Sequence, residues 1–206
     1  MEKLSDLKKK RIGLLRGSSS EFFLGDYLKR SNTPLFGVKI VDLSPLATEE
    51  AMRNGSVDAV VVWDPYATRI KERLGNNAMS WPVQGRNDYY FLFITKKEFL
   101  RRSPAAAEKV LRALIDAEAY AGTNPEETLK IIEARSKLRP GDAQLLLAKT
   151  RLEVRLDQGL LTLMEAEADW MIRNNLTTKT EMPDFLDMIY LKALEAVKPE
   201  AVGVIH

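Results

Sequence analysis

Between Arg11 and Leu74 short apolar runs alternate with helical stretches, and this order limits the fold more than any other feature of the chain. Ile12-Gly-Leu-Leu15 reads as a strand, Ser19 to Lys29 as a helix, and Val38-Lys-Ile-Val41 as a second strand. Thr48 to Asn54 reads as a short helix closed by Gly55, a residue suited to the left-handed position after a helix end. Asp58-Ala-Val-Val-Val-Trp63 is rich in β-branched residues and has no polar break, as expected of a strand covered on both faces. Pro65 then opens a helix that runs to Leu74 and stops at Gly75-Asn76-Asn77. Strand, helix, strand, helix, strand with short links specifies a parallel α/β sheet.

Beyond this block the texture changes. Ala78 to Trp81 reads as a short added strand, and Tyr89-Tyr-Phe-Leu-Phe-Ile-Thr95 is the most strand-like run in the protein. After Lys96 the pattern is helical. Pro104 suits a first helical turn, and Val110, Leu111, Leu114 and Ile115 form an apolar stripe. Asn124-Pro125-Glu126-Glu127 reads as a cap, a first-turn proline and two acids matched to the helix dipole. Further helices are expected over 142–153, 160–174 and 184–197. The expected division is an α/β lobe over 5–88 and a mainly helical region over 89–206. That second region has several one-sided helices and one strand for them to pack on.

Composition narrows the chemistry. The chain has no cysteine, and its one histidine is His206, the last residue. Thiol nucleophiles, thiolate metal sites and histidine-based triads are therefore excluded, no metal site or cofactor is expected, and the expectation is that the chain is not an enzyme. A net charge of +2 advertises no nucleic-acid surface, and Lys8-Lys-Lys-Arg11 reads as a solvated turn before a strand. No apolar run approaches the roughly 20 residues that span a bilayer. The first residues, MEKLSDLKKKR, lack the apolar core of a signal peptide.

Ligands of parallel α/β sheets bind where strands end and loops enter helices. Three segments fall there by spacing. After the first strand comes Gly17-Ser18-Ser19-Ser20, after the third come Trp63 and Asp64, and Arg86 lies on the loop before the Tyr89 run. The serine run has two readings. It is either a plain helix cap with two exposed serines, or a cradle in which helix N–H groups and rotatable hydroxyls hold an anion. Trp63 is either core or an apolar plate facing ligand. Asp64 is either a cap for the following helix or a partner for an amine. Arg86 is either an exposed loop residue or an anion partner.

The segments DLKKKRIGLLRGSSSEFFLGDYLKR, EEAMRNGSVDAVVVWDPYATRIKE and YYFLFITKKEFLRRSPAAAEKVLRALIDAEAY, in this order, resemble the substrate-binding proteins of nitrate/sulfonate/taurine-type ABC transporters, the SsuA/THI5-like or NMT1-like group. The resemblance implies a type II periplasmic-binding-protein fold, two α/β lobes that close by a hinge on a small solute. It implies non-covalent capture of a small anionic or zwitterionic solute of the sulfonate, taurine, nitrate or pyrimidine-precursor class. It also implies a permease partner and a periplasmic or extracytoplasmic location. Gly17 to Ser20 would be the anion-holding helix start of the second lobe, and Trp63 and Asp64 would face the cleft. By the same resemblance, the chain is expected to lack the first part of lobe one. That would leave an apolar face for the rest of a longer protein, for a second copy of the chain, or for its own helices folding back. The alternative to transport is a binding-protein-like sensing or interaction module that oligomerises.

Overall fold

The computed structural model describes residues 4–30, 37–84, 88–136 and 138–205. The chain divides into two compact units, Met1–Arg86 and Asn87–His206.

The first unit is built on a three-stranded parallel sheet. Strand β1 (Arg11–Leu14) lies in the middle, flanked by β2 (Lys39–Asp42) and β3 (Ala59–Val60) in the order β2-β1-β3. Ile12 sits opposite Ile40 on one side and Ala59 on the other. Side chains alternate along a strand, and β1 uses both faces. Ile12 and Leu14 are fully buried and cluster with Leu7, Val38 and the α1 residues Leu24 and Leu28, α1 being Ser19–Arg30. Between them Gly13 faces the opposite way, where a Cβ would come within 2.7 Å of Leu43 Cδ1 and 3.2 Å of Val60 Cγ1. The missing side chain is what lets the second face pack this closely on the central strand.

Helix α2 (Pro45–Arg53) starts three residues earlier than the periodicity predicts, because Ser44-Pro45 supplies an extended cap residue and a first-turn proline. It ends with Gly55 at φ +70°, as its position predicts. Strand β3 is shorter than the apolar run suggests. Its ladder covers Ala59 and Val60, Val61 N–H adds one bond to the Gly13 carbonyl, and Ala59 to Val62 are only half-buried. Ala78 to Trp81 forms no strand. Helix α3 (Tyr66–Leu74) follows a cis Asp64–Pro65 bond.

A forked ion pair ties the start of β1 to the turn before β3. Arg11 donates Nη2 to Asp58 Oδ1 at 2.9 Å and its backbone N–H to Asp58 Oδ2 at 2.8 Å. The Arg11 side-chain hydrogen bond, helped by the backbone one, holds the Asp58 carboxyl at about 2, against an ordinary 3.8. A depressed carboxylate contributes stability above its unfolded pKa, and that contribution is lost as pH falls through the folded value. The expected result is an acid-sensitive urea midpoint for this unit between about pH 4 and pH 2. Asp58→Asn should flatten that part of the curve; equal slopes for variant and parent would contradict it.

The second unit is mainly helical: α4 (Lys97–Arg102), α5 (Pro104–Thr123), α6 (Pro125–Arg135), α7 (Asp142–Lys149), α8 (Gln158–Arg173) and α9 (Leu191–Val197). A two-residue parallel ladder joins β4 (Leu156–Asp157) to β5 (Val202–Gly203). The α5 and α9 helices pack together, and Glu118 of α5 accepts from Lys198 Nζ at 2.8 Å and from Val154 N–H at 2.8 Å. Burial raises the Glu118 carboxyl, but these two donors outweigh it and hold it below its ordinary value. The helix expected over 184–197 is broken, because Asp184 caps a short 3-10 turn at Leu186–Met188 before α9 begins. Asn124 serves the helix before it rather than the one after: its Nδ2 donates to Tyr120 O at 3.1 Å, closing α5.

The strand expected at Tyr89 to Thr95 is absent. This run carries no ladder, its backbone has no backbone partner among the described residues, and Phe91 and Ile94 are 84% and 82% exposed. Strand propensity records how well a side chain fits a half-buried pleated surface, and here no neighbouring strand supplies that surface. The apolar stripe on α5 is likewise only half-covered: Ala107 is the buried residue of that helix, and Leu114 is exposed.

Candidate functional site

The topology of the first unit fixes where a ligand site belongs. From β1 the chain crosses through α1 to β2, then returns through α2 to β3 on the far side of β1. The direction of winding reverses between β1 and β3, and in open α/β sheets ligands bind outside the carboxyl ends of strands at such a reversal. The segments leaving that edge are Leu15 to Ser20 after β1 and Val62 to Pro65 after β3. Six of the seven residues selected from sequence lie there. Arg86 lies outside the described residues.

The serine run is part cap, part open donor. Gly17 is at φ +66°, a conformation that turns the chain sharply into α1. Ser18 Oγ donates to Leu15 O at 2.6 Å and accepts from Ser20 N–H at 3.2 Å, the work of an N-cap. The N–H groups of Ser18 and Ser19 have no hydrogen-bond partner among the described residues. Ser19 is half-exposed and Ser20 buried.

Three residues that the spacing did not single out, Arg16, Glu21 and Asp42, complete this corner. Glu21 is 2% exposed, and its Oε2 accepts from Gly17 N–H at 2.9 Å. Its Oε1 accepts from Arg16 Nη1 at 3.1 Å, holding a half-exposed guanidinium beside the start of α1. Asp42, at the end of β2, accepts from Arg16 N–H at 3.0 Å and ties the same loop to the sheet. The signal was present in Ser18-Ser-Ser-Glu21, the spacing of a capping box, where the acid three residues on reaches back over the helix start.

Trp63, three residues beyond β3, is 45% exposed. Leu15 and Leu46, also at the carboxyl edge of the sheet, are exposed too. Asp64 takes its capping reading: its Oδ1 accepts from Thr68 N–H at 3.1 Å and Thr68 Oγ1 at 2.7 Å, fixing the first turn of α3. The carboxyl edge of the sheet thus carries unpaired helix N–H donors and a guanidinium after β1 and an exposed indole after β3. That set can hold a small anionic head with an apolar body; it contains no nucleophile paired to a base.

Residues 1–128 match the model of the NMT1/THI5-like family. The chain belongs to that family. Among curated relatives, a Brucella abortus (strain 2308) protein named as a binding protein is 25% identical over 134 residues, 62% of this chain and 41% of the relative. A 2'-hydroxybiphenyl-2-sulfinate desulfinase of Rhodococcus erythropolis is 25% identical over 145 residues, 68% of this chain and 40% of the enzyme. Among solved structures, the periplasmic aliphatic sulphonate binding protein SsuA of Escherichia coli superposes with a TM-score of 0.73 at 19% identity. That superposition covers 92% of this chain and 65% of SsuA. The fold of this NMT1/THI5-like chain is therefore of the type II periplasmic-binding-protein class, and the chain spans about two-fifths of the curated relatives it matches. No helix among the described residues is long and apolar enough to cross a membrane.

Proposed function

We propose that this chain is the solute-binding component of an ABC importer and captures a small anionic or zwitterionic organic solute without covalent chemistry. The observation that carries the reading is the corner at the sheet's winding reversal. There the Ser18 and Ser19 N–H groups and Arg16 can meet an anionic head, while Trp63 covers its apolar part. Gly17, Ser18, Ser19, Ser20 and Trp63 line this site, Asp64 shapes its α3 wall, and Arg86 is assigned to it by its place on the loop before the Tyr89 run. The solute classes are sulfonate, taurine, nitrate and pyrimidine precursor, the partner is a membrane permease, and the setting is extracytoplasmic. The binding-protein name of the Brucella relative and the sulfonate-binding title of SsuA support this reading. One relative of similar identity is named as a desulfinase. The reading of this chain as a non-enzyme rests on its lack of cysteine and its single terminal histidine.

The test is calorimetry and thermal shift with ethanesulfonate, taurine, nitrate and matched carboxylates. One of the anions should stabilise the first unit, by about 2.7 kcal/mol at a hundred times its Kd. Trp63→Ala should weaken that anion about tenfold or more while leaving the fold intact, because an exposed aromatic contributes to binding rather than to the core. Equal affinity in parent and variant would remove Trp63 from the site. No stabilisation by any anion would remove the function.

A further inference from the structure

We propose that the amino-terminal edge of the first unit's sheet is a docking surface for an anionic lipid bilayer, with Lys8, Lys9, Lys10 and Lys39 as its contacts. This goes beyond solute capture and does not depend on it.

The first observation is where these lysines stand. Parallel strands share one direction, so all their amino ends lie on one edge of the sheet and all their carboxyl ends on the other. The candidate site is at the carboxyl edge. Lys8, Lys9 and Lys10 enter β1 at the opposite edge, and Lys39 is the first residue of β2. Backbone bonds hold the two segments side by side: Lys9 N–H donates to Gly37 O at 2.7 Å, and Lys39 N–H donates to Lys10 O at 2.8 Å. Their charge is not cancelled locally. Asp58, the acid of the neighbouring turn, is forked by Arg11, and Lys10 is close enough to act on the same carboxylate. Lys8, Lys9 and Lys39 are exposed and have no ion-pair partner among the described residues.

The second observation is the backbone of Lys9. It sits at φ +63°, a left-handed conformation that strains an L residue and suits glycine. The turn needs that shape, but it does not need this side chain. A lysine held in a strained turn, with its ammonium in solvent, fits a charge that acts outside the fold.

The third observation decides what the edge meets. Leu7, Val38 and Val57, the apolar residues next to it, are buried. The core of a protein interface is apolar and poor in lysine, and these residues supply no such core. A charged bilayer requires none. It attracts hydrated point charges through its surface potential, and each lysine near it adds about fivefold to binding. The exposed apolar side chains Leu15, Leu46 and Trp63 are instead at the carboxyl edge, so docking through the lysines leaves the candidate site open.

The test is co-sedimentation of the 206-residue chain with vesicles of phosphatidylglycerol and phosphatidylcholine in equal parts, and with phosphatidylcholine alone. At about 0.1 M salt, where charges act over about 10 Å, the anionic vesicles should bind at least about tenfold more tightly. Salt at about 1 M shortens that reach to about 3 Å and should release the chain. Lys9→Gly relieves the left-handed turn while removing a charge, so Tm should hold or rise as vesicle affinity falls about fivefold. Lys9→Gly combined with Lys39→Gln should lose about 25-fold. Lys109→Gln removes an equal charge from the exposed side of α5 and should lose less than about twofold. No preference for the anionic vesicles overturns the proposal. So does an equal loss in Lys109→Gln, which would reduce the effect to net charge. Binding of poly-glutamate through the same lysines, with no binding to the vesicles, overturns it in favour of an acidic protein.

Discussion

Truncating Leu14 to alanine should destabilise the first unit by about 2–5 kcal/mol, the largest single-site effect expected in the chain. Leu14 is 0% exposed on the central strand, and it belongs to a cluster of six buried residues among those described: Leu7, Ile12, Leu14, Leu24, Leu28 and Val38. Ile40, Ala59, Val61 and Trp81 close the cluster from its rim. A core this small has little capacity to collapse into a void, because its walls are set by parallel ladders on both sides of β1 and by α1 above. The loss should therefore fall toward the upper half of the range, with the cavity adding to the transfer cost of the removed methyl groups. For a unit of this size each kcal/mol lowers Tm by about 4–8 °C. Trp63 and Trp81 report this unit and Trp170 the other, so urea unfolding followed by fluorescence in a Trp170→Phe background isolates the effect. A loss below about 1 kcal/mol would mean that the cluster is not the core of this unit.

What could be read in advance follows from where each element gets its stability. β1, α1, β2 and α2 were legible because their determinants are local: an apolar run, a serine start, a glycine end. Their edges moved by at most one residue, except where Ser44-Pro45 opened α2 three residues early. The Tyr89 run shows the opposite case. Its residues specify a strand, but a strand exists only through its neighbours, and none of the described segments pairs with it. Asn124-Pro125 misleads for a related reason. The dipeptide fixes the boundary between two helices, while the choice of which helix the side chain caps is made by geometry at Tyr120. At the candidate site, spacing located the loops after β1 and β3 because the βαβαβ order itself dictates the winding reversal. It could not show that a carboxylate folds back beneath the serines. Gly17 to Ser20 reads either as a plain cap or as donors for an anion outside, whereas the capping-box spacing of Ser18 and Glu21 is a separate signal that predicts an anion inside.

That inner carboxylate carries the second large effect. Glu21→Ala should cost about 1.5–3 kcal/mol, the range for losing a hydrogen bond to a buried charged group. Removing the side chain leaves the Gly17 N–H without its acceptor in a turn that Gly17 already holds at φ +66°. It also releases Arg16, which is half-exposed and can return to water, so the guanidinium adds little to the loss. Glu21→Gln keeps an acceptor of nearly the same shape and should cost about 0.5–1.5 kcal/mol, the value of a neutral hydrogen bond. Denaturation separates the two variants, and equal losses would mean that the carboxylate's charge is not what holds the loop. The same pair bears on binding. In the parent, an incoming anion shares the α1 start with a carboxylate whose charge offsets both the helix dipole and Arg16. In Glu21→Gln the dipole and the guanidinium act without that opposition, so the anion that stabilises the parent should bind the variant several-fold more tightly. Weaker binding in Glu21→Gln would show instead that Glu21 is needed to aim Arg16, and that the positioning of the cation outweighs the repulsion it brings.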